Sequence, residues 1–167
     1  MSMKGTRIAI LTTTLVLALA AWAGAAQAAA NFSGTWTLNQ ELSGPETRGI
    51  SPQVSFPTDL TIKQTPSEFN LQTSTTRQDT HTFLYKFDGS EASVKFADGT
   101  VVTGKAVWDG PKLVITSKRV FSSELLGDFV ADYVEAYTVS GNLLTVERVQ
   151  SVGGVTLKGK AVYTKAS

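Results

Sequence analysis

Three Asp-Gly dipeptides, Asp88-Gly89, Asp98-Gly99 and Asp109-Gly110, follow one another at intervals of about ten residues, which is the spacing of tight hairpin turns. Asp-Gly favours the positive φ that such turns need if their twist is to match that of the flanking strands. Ser140-Gly141-Asn142 and Gly153-Gly154 continue the series. Between these separators the chain alternates apolar and polar residues with period two, not 3.6. The runs are Trp36 to Leu38, Leu60 to Gln64, Phe69 to Gln72, His81 to Phe87, Val94 to Phe96, Val101 to Trp108, Leu113 to Val120, Tyr133 to Val139, Leu143 to Val149 and Val155 to Tyr163. Strands joined by tight turns pair antiparallel with their chain neighbours, which makes a meander. Eight to ten strands in one sheet leave two long edges unless the sheet curls, so an all-β, up-and-down barrel is expected.

Two stretches interrupt the pattern. Asn39 to Thr58 carries Gly44, Pro45, Gly49, Pro52 and Pro57, and reads as a long loop placed to act as a lid. Ser122 to Tyr137 puts Leu126, Val130, Tyr133 and Tyr137 on one helical face. Gly127 and the β-branched and aromatic content near Tyr133 oppose a full helix. Residues 122–130 are therefore expected as a loop or one helical turn, with a strand from about Asp132.

The first 28 residues read as a secretory signal peptide. Lys4 and Arg7 precede an apolar run from Ile8 to Trp22, and Ala26-Gln27-Ala28 supplies the small residues that signal peptidase requires. The apolar run is shorter than the roughly 20 residues of a spanning helix. Cleavage after Ala28 leaves residues 29–167 as one domain, expected in the periplasm or secreted and not inserted in a membrane. The chain has no cysteine, so neither a lipidated N-terminus nor a disulfide is available, and the core must hold the domain together by itself. Without Lys4 and Arg7 the 15 basic residues become 13 against 14 acidic ones. That balance provides no electrostatic footprint for nucleic acid. One histidine and no cysteine exclude a His- or Cys-rich metal centre within one chain.

Asn31-Phe32-Ser33-Gly34-Thr35-Trp36 resembles the start of a lipocalin-like (calycin) barrel, whose first strand opens with Gly-x-Trp, here Gly34-Thr35-Trp36. The chain is also similar to small exported bacterial proteins that begin Phe-Ser-Gly-Thr-Trp. The resemblance implies structural roles for Gly34 and Trp36, with the indole plugging the closed end under a late basic residue: Arg148, Lys160 or Lys165. Ala131-Asp132-Tyr133 matches two positions of a second lipocalin motif, Thr-Asp-Tyr. The C-terminal helix of lipocalins is missing. Ten runs suit a ten-stranded fatty-acid-binding or nitrobindin type of barrel as well as an eight-stranded one.

Alternation assigns an inner wall of Leu60, Ile62, Phe69, Leu71, Phe83, Tyr85, Phe87, Leu113, Ile115, Tyr133, Tyr137, Leu144, Val146, Leu157 and Tyr163. Phe69, His81, Phe83, Tyr85, Tyr133, Tyr137 and Arg148 are the candidate ligand-binding residues, a mostly aromatic wall with a few polar groups to orient a small apolar or amphipathic molecule. The tyrosines read equally as core residues with satisfied hydroxyls. His81 falls on the apolar face, as a haem ligand, a hydrogen-bonded wall residue near a strand end, or an exposed one if the register slips. Trp108, just before Asp109-Gly110, reads as packing. No catalytic residue is assigned: there is no Gly-x-Ser-x-Gly elbow, Asp132 and Glu135 fall on opposite strand faces, and Glu124 and Asp128 pair only on a helix. No cofactor is assigned. The expected function is binding of a small hydrophobic or amphipathic ligand by an exported barrel. The alternatives are an interaction or inhibitor protein with a filled core, and a haem-binding or catalytic barrel.

Overall fold

The computed structural model describes residues 30–43, 54–75, 80–123 and 127–166. The expected signal peptide therefore lies outside the described residues, as does the middle of the 39–58 loop. Ten strands form where alternation calls for them: β1 (Gly34–Leu38), β2 (Asp59–Gln64), β3 (Glu68–Ser74), β4 (Thr80–Lys86), β5 (Ala92–Lys95), β6 (Val101–Asp109), β7 (Lys112–Ser123), β8 (Gly127–Ser140), β9 (Leu143–Val152) and β10 (Val155–Lys165). There is no helix among the described residues. The glycines of all three Asp-Gly turns have positive φ, at 77°, 86° and 58°. Asp88 and Asp98 brace two of these turns by accepting hydrogen bonds from the backbone N–H of Ser90 and Thr100, at 2.8 and 2.9 Å.

The strands form one antiparallel sheet in the order β4-β3-β2-β1-β10-β9-β8-β7-β6-β5. Every chain neighbour pairs except β4 with β5, and the ring is completed by the first strand pairing with the last, Thr37 opposite Thr164. The barrel is thus nearly closed, with one seam between β4 and β5. Side chains bridge the seam where backbone does not. The rings of His81 and Phe96 are 4.2 Å apart, and those of Phe83 and Phe96 meet edge to face at 5.4 Å.

The stretch at 122–130 departs from expectation. Its described residues, 122–123 and 127–130, are strand and not loop or helical turn: β7 runs to Ser123 and β8 starts at Gly127, five residues before the anticipated Asp132, with residues 124–126 outside the described residues. Of the helically spaced residues, Val130, Tyr133 and Tyr137 lie instead in the ladder from Leu113↔Tyr137 to Ser123↔Gly127, and Leu126 lies outside the described residues. Each residue added to that ladder satisfies backbone groups that one helical turn leaves open. The hairpin stacks Phe121 on Phe129 at 4.9 Å beyond the barrel rim.

One end of the barrel is packed shut. Phe32, which leads into β1, is fully buried; it stacks on Trp108 at 5.8 Å and meets Phe69 and Tyr137 edge-on at 6.0 and 6.4 Å. Trp36 is equally buried, and its indole N–H donates to the Phe32 carbonyl at 2.9 Å. Lys165 is the basic residue on the indole, its Nζ 5.3 Å from the ring centroid, within cation–π range. Gly34 allows this approach. Its φ is +144°, and a Cβ there would stand 2.6 Å from Lys165 Cε. Of the inner-wall residues read from alternation, Phe87 and Leu157 are half-buried and the rest are buried.

Candidate functional site

Above this plug the interior holds a cavity of about 320 Å³. Its lining includes His81, Phe83, Tyr85, Tyr133, Tyr137 and Arg148 from the candidate set. Phe69 lies below it, 5.7 Å from the Tyr137 ring and packed at the closed end. His81 sits half-buried at the start of β4, against Phe96.

The polar centre is a pair of residues opposite each other on β8 and β9, Glu135 and Arg148. Arg148 Nε donates to Glu135 Oε1 at 2.7 Å, with Nη2 2.5 Å from the same oxygen, and both side chains are buried. Burial by itself would raise the Glu135 pKa. The Arg148 guanidinium, and behind it Arg119, outweigh burial and hold the carboxyl below its usual value. Desolvation and the Glu135 charge raise the hydroxyl pKa of Tyr85 and Tyr137, and desolvation dominates at Tyr163. These phenols therefore stay neutral donors. Tyr137 points its hydroxyl at Glu135 Oε2, at the long distance of 3.5 Å.

Arg148 also fastens the chain entering β2. Its Nη1 donates to the carbonyl of Ser55, and its Cζ lies 4.6 Å from the centroid of Phe56. Tyr163 donates to the carbonyl of Pro57 at 3.0 Å. This segment needs room on β10, and Gly159 provides it. A Cβ at 159 would be 2.9 Å from Val54 Cβ and 3.0 Å from Phe56 Cε2. Residues 54–58, the described end of the stretch read as a lid, thus form part of the cavity wall.

A second guanidinium, that of Arg119 on β7, lines the cavity nearer the rim. Its Cζ lies 4.1 Å from the Tyr133 ring centroid and 5.8 Å from that of Phe83. Its Nε is buried with no hydrogen-bond partner. Among the described residues the one ion pair is Glu135–Arg148, so the Arg119 charge stands without a carboxylate at contact distance.

Sequence reading missed Glu135 and Arg119 as site residues, and it read 39–58 as a lid without singling out Val54 or Phe56. The first two were within reach of the same alternation. Glu135 is flanked by the inward Tyr133 and Tyr137, and Arg119 continues the inward series Leu113, Ile115, Ser117. Nothing in the loop's composition marked Val54 and Phe56. No group of three metal-ligating side chains occurs among the described residues.

No family model matches the chain, and no curated protein matches it. Solved structures do. A zebrafish ileal bile acid-binding protein complexed with cholic acid superposes with a TM-score of 0.56 at 20% identity, covering 81% of this chain and 98% of that one. A protein described as REP1-NXSQ fatty acid transporter gives 0.52 at 16% identity, covering 81% and 96%. The wild-type fluorescent protein UnaG gives 0.51 at 17%, covering 81% and 97%. At these identities the likeness is one of fold, and the chain has the ten-stranded barrel fold of the fatty-acid- and bile-acid-binding proteins.

Proposed function

We propose that this protein is exported, loses residues 1–28, and works as a carrier or receptor for a small amphipathic molecule held inside its barrel. The observation that carries the reading is the cavity itself: about 320 Å³ above a sealed aromatic floor, walled by rings and equipped with two guanidiniums. Volumes of this order suit small-molecule sites, which are mostly apolar with a few convergent polar groups. A bile acid-binding protein and a fatty acid transporter among the similar structures support binding of this kind. Binding is favoured over catalysis because the buried carboxylate is engaged by Arg148 and the imidazole of His81 lies against Phe96.

Native mass spectrometry of the protein recovered from its own compartment tests this. The expected result is a chain beginning at Ala29 that carries a non-covalent small molecule. A ligand-free mass, with no uptake of fluorescent amphiphiles by the same sample, would overturn the reading.

A further inference from the structure

We infer that the ligand is a compact, flat organic acid, an aromatic or conjugated carboxylate or sulfonate, whose acidic group is received by Arg119. This rests on the small-molecule reading above and narrows it.

The charge count comes first. Three lining residues bear full charges near neutral pH, Arg119, Arg148 and Glu135. Glu135 and Arg148 neutralise each other through two contacts of 2.7 and 2.5 Å. Arg148 spends its remaining Nη1 on the Ser55 carbonyl. Arg119 has no such partner: its Nε is buried and unbonded, and its neighbours are the rings of Tyr133 and Phe83. A desolvated donor without an acceptor is unfavourable, and more so when it is charged. An acidic group arriving with the ligand pairs with the Arg119 charge, and a guanidinium grips a carboxylate or sulfonate through a two-donor fork.

The walls specify the rest of the molecule. The Phe83 and Tyr85 rings lie nearly parallel, 6° apart in plane. Tyr133 lies beneath Arg119, and Phe56 closes from the 54–58 segment. Faces of this kind take a planar ring system. A long alkyl chain finds no apolar shaft, because the Glu135–Arg148 pair and Tyr137 form part of the cavity wall, and below them Phe32, Phe69 and Trp36 fill the barrel. The head group therefore sits toward the rim and the ring system toward Leu60, Leu71 and Val146.

Two naphthylamine dyes that differ chiefly in charge test the idea by fluorescence titration. They are 8-anilinonaphthalene-1-sulfonate and its uncharged counterpart N-phenyl-1-naphthylamine. The sulfonate should bind at one site at least tenfold more tightly than the neutral dye. Arg119→Gln should weaken the sulfonate at least tenfold and change the neutral dye less than twofold. Arg119→Lys, which keeps the charge, should hold the sulfonate preference and serves if the glutamine variant does not fold. Hexadecanoate should fail to displace the sulfonate. Equal affinities for the two dyes, an Arg119→Gln variant that binds the sulfonate normally, or displacement by hexadecanoate would each overturn the inference of a compact, flat acid held by Arg119 while leaving a ligand-binding barrel. Binding of neither dye overturns both readings.

Discussion

Replacing Glu135 with leucine removes the only acceptor that two of Arg148's donors have, while Arg148 stays buried. Breaking a buried ion pair by removing one partner destabilises by about 3–5 kcal/mol, chiefly through the charge left behind. Two features place this case near the low end. Arg148 keeps its bond to the Ser55 carbonyl, and the adjoining cavity lets water reach the stranded guanidinium. A loss of about 3 kcal/mol is expected, equivalent to about 10 °C in melting temperature for a domain of this size. Thermal and urea unfolding followed by circular dichroism measure it. The double variant Glu135→Leu/Arg148→Met closes the cycle. With both charges gone and similar volume restored, stability should return to within about 1 kcal/mol of the parent. A single variant that loses less than about 1 kcal/mol, or a double variant no better than the single, would refute the claim that these groups are desolvated together.

The same pair sets a pH dependence. The Glu135 pKa is lowered in the fold from an ordinary 4.5, so its contribution is complete above that value and is lost as pH falls through the folded one. Acid unfolding below pH 4.5 should accordingly be shallower in the double variant. Trp36→Ala should destabilise by about 3–5 kcal/mol, since the indole is fully buried in the plug, whereas Lys165→Met should lose only about 0.5–1 kcal/mol of cation–π attraction; urea titrations compare the two. Gly159→Val should push the Val54–Phe56 segment off β10, at about 1–3 kcal/mol, seen as faster proteolysis near residues 54–58. Tyr163→Phe removes one bond to that segment, for a loss of about 1 kcal/mol by chemical denaturation.

The architecture was legible because its signals are local. Period-two runs and Asp-Gly turns mark ten strands, and each pairs with its chain neighbours except β4 with β5, where Asp88-Gly89 turns the chain without closing a hairpin. What alternation lacks is distance across the barrel. It places Phe69 and Tyr85 on the same inner face, and the register makes them cross-strand neighbours, yet Phe69 packs against Phe32 and Tyr137 while Tyr85 lines the cavity. Glu135 illustrates a different failure. A carboxylate between two inward tyrosines looks like a break in the apolar pattern until its partner is known, and Arg148 becomes that partner only through the β8–β9 register. Gly34 was tied to Trp36 by resemblance alone. The geometry adds the reason: a positive φ and a lysine chain crossing where a Cβ would stand.

The β1–β10 ladder has a consequence for how the molecule comes into being. Lys165 on β10 lies opposite Trp36 on β1, and the two strands occupy the middle of the hydrogen-bonded order. Without β10 the strands thus cannot assemble a smaller version of the finished object; β1–β4 and β5–β9 form two groups that no backbone ladder joins. Contacts between such distant positions also make for slow maturation. A polypeptide wired this way gains its closed form only when β10 is available to β1.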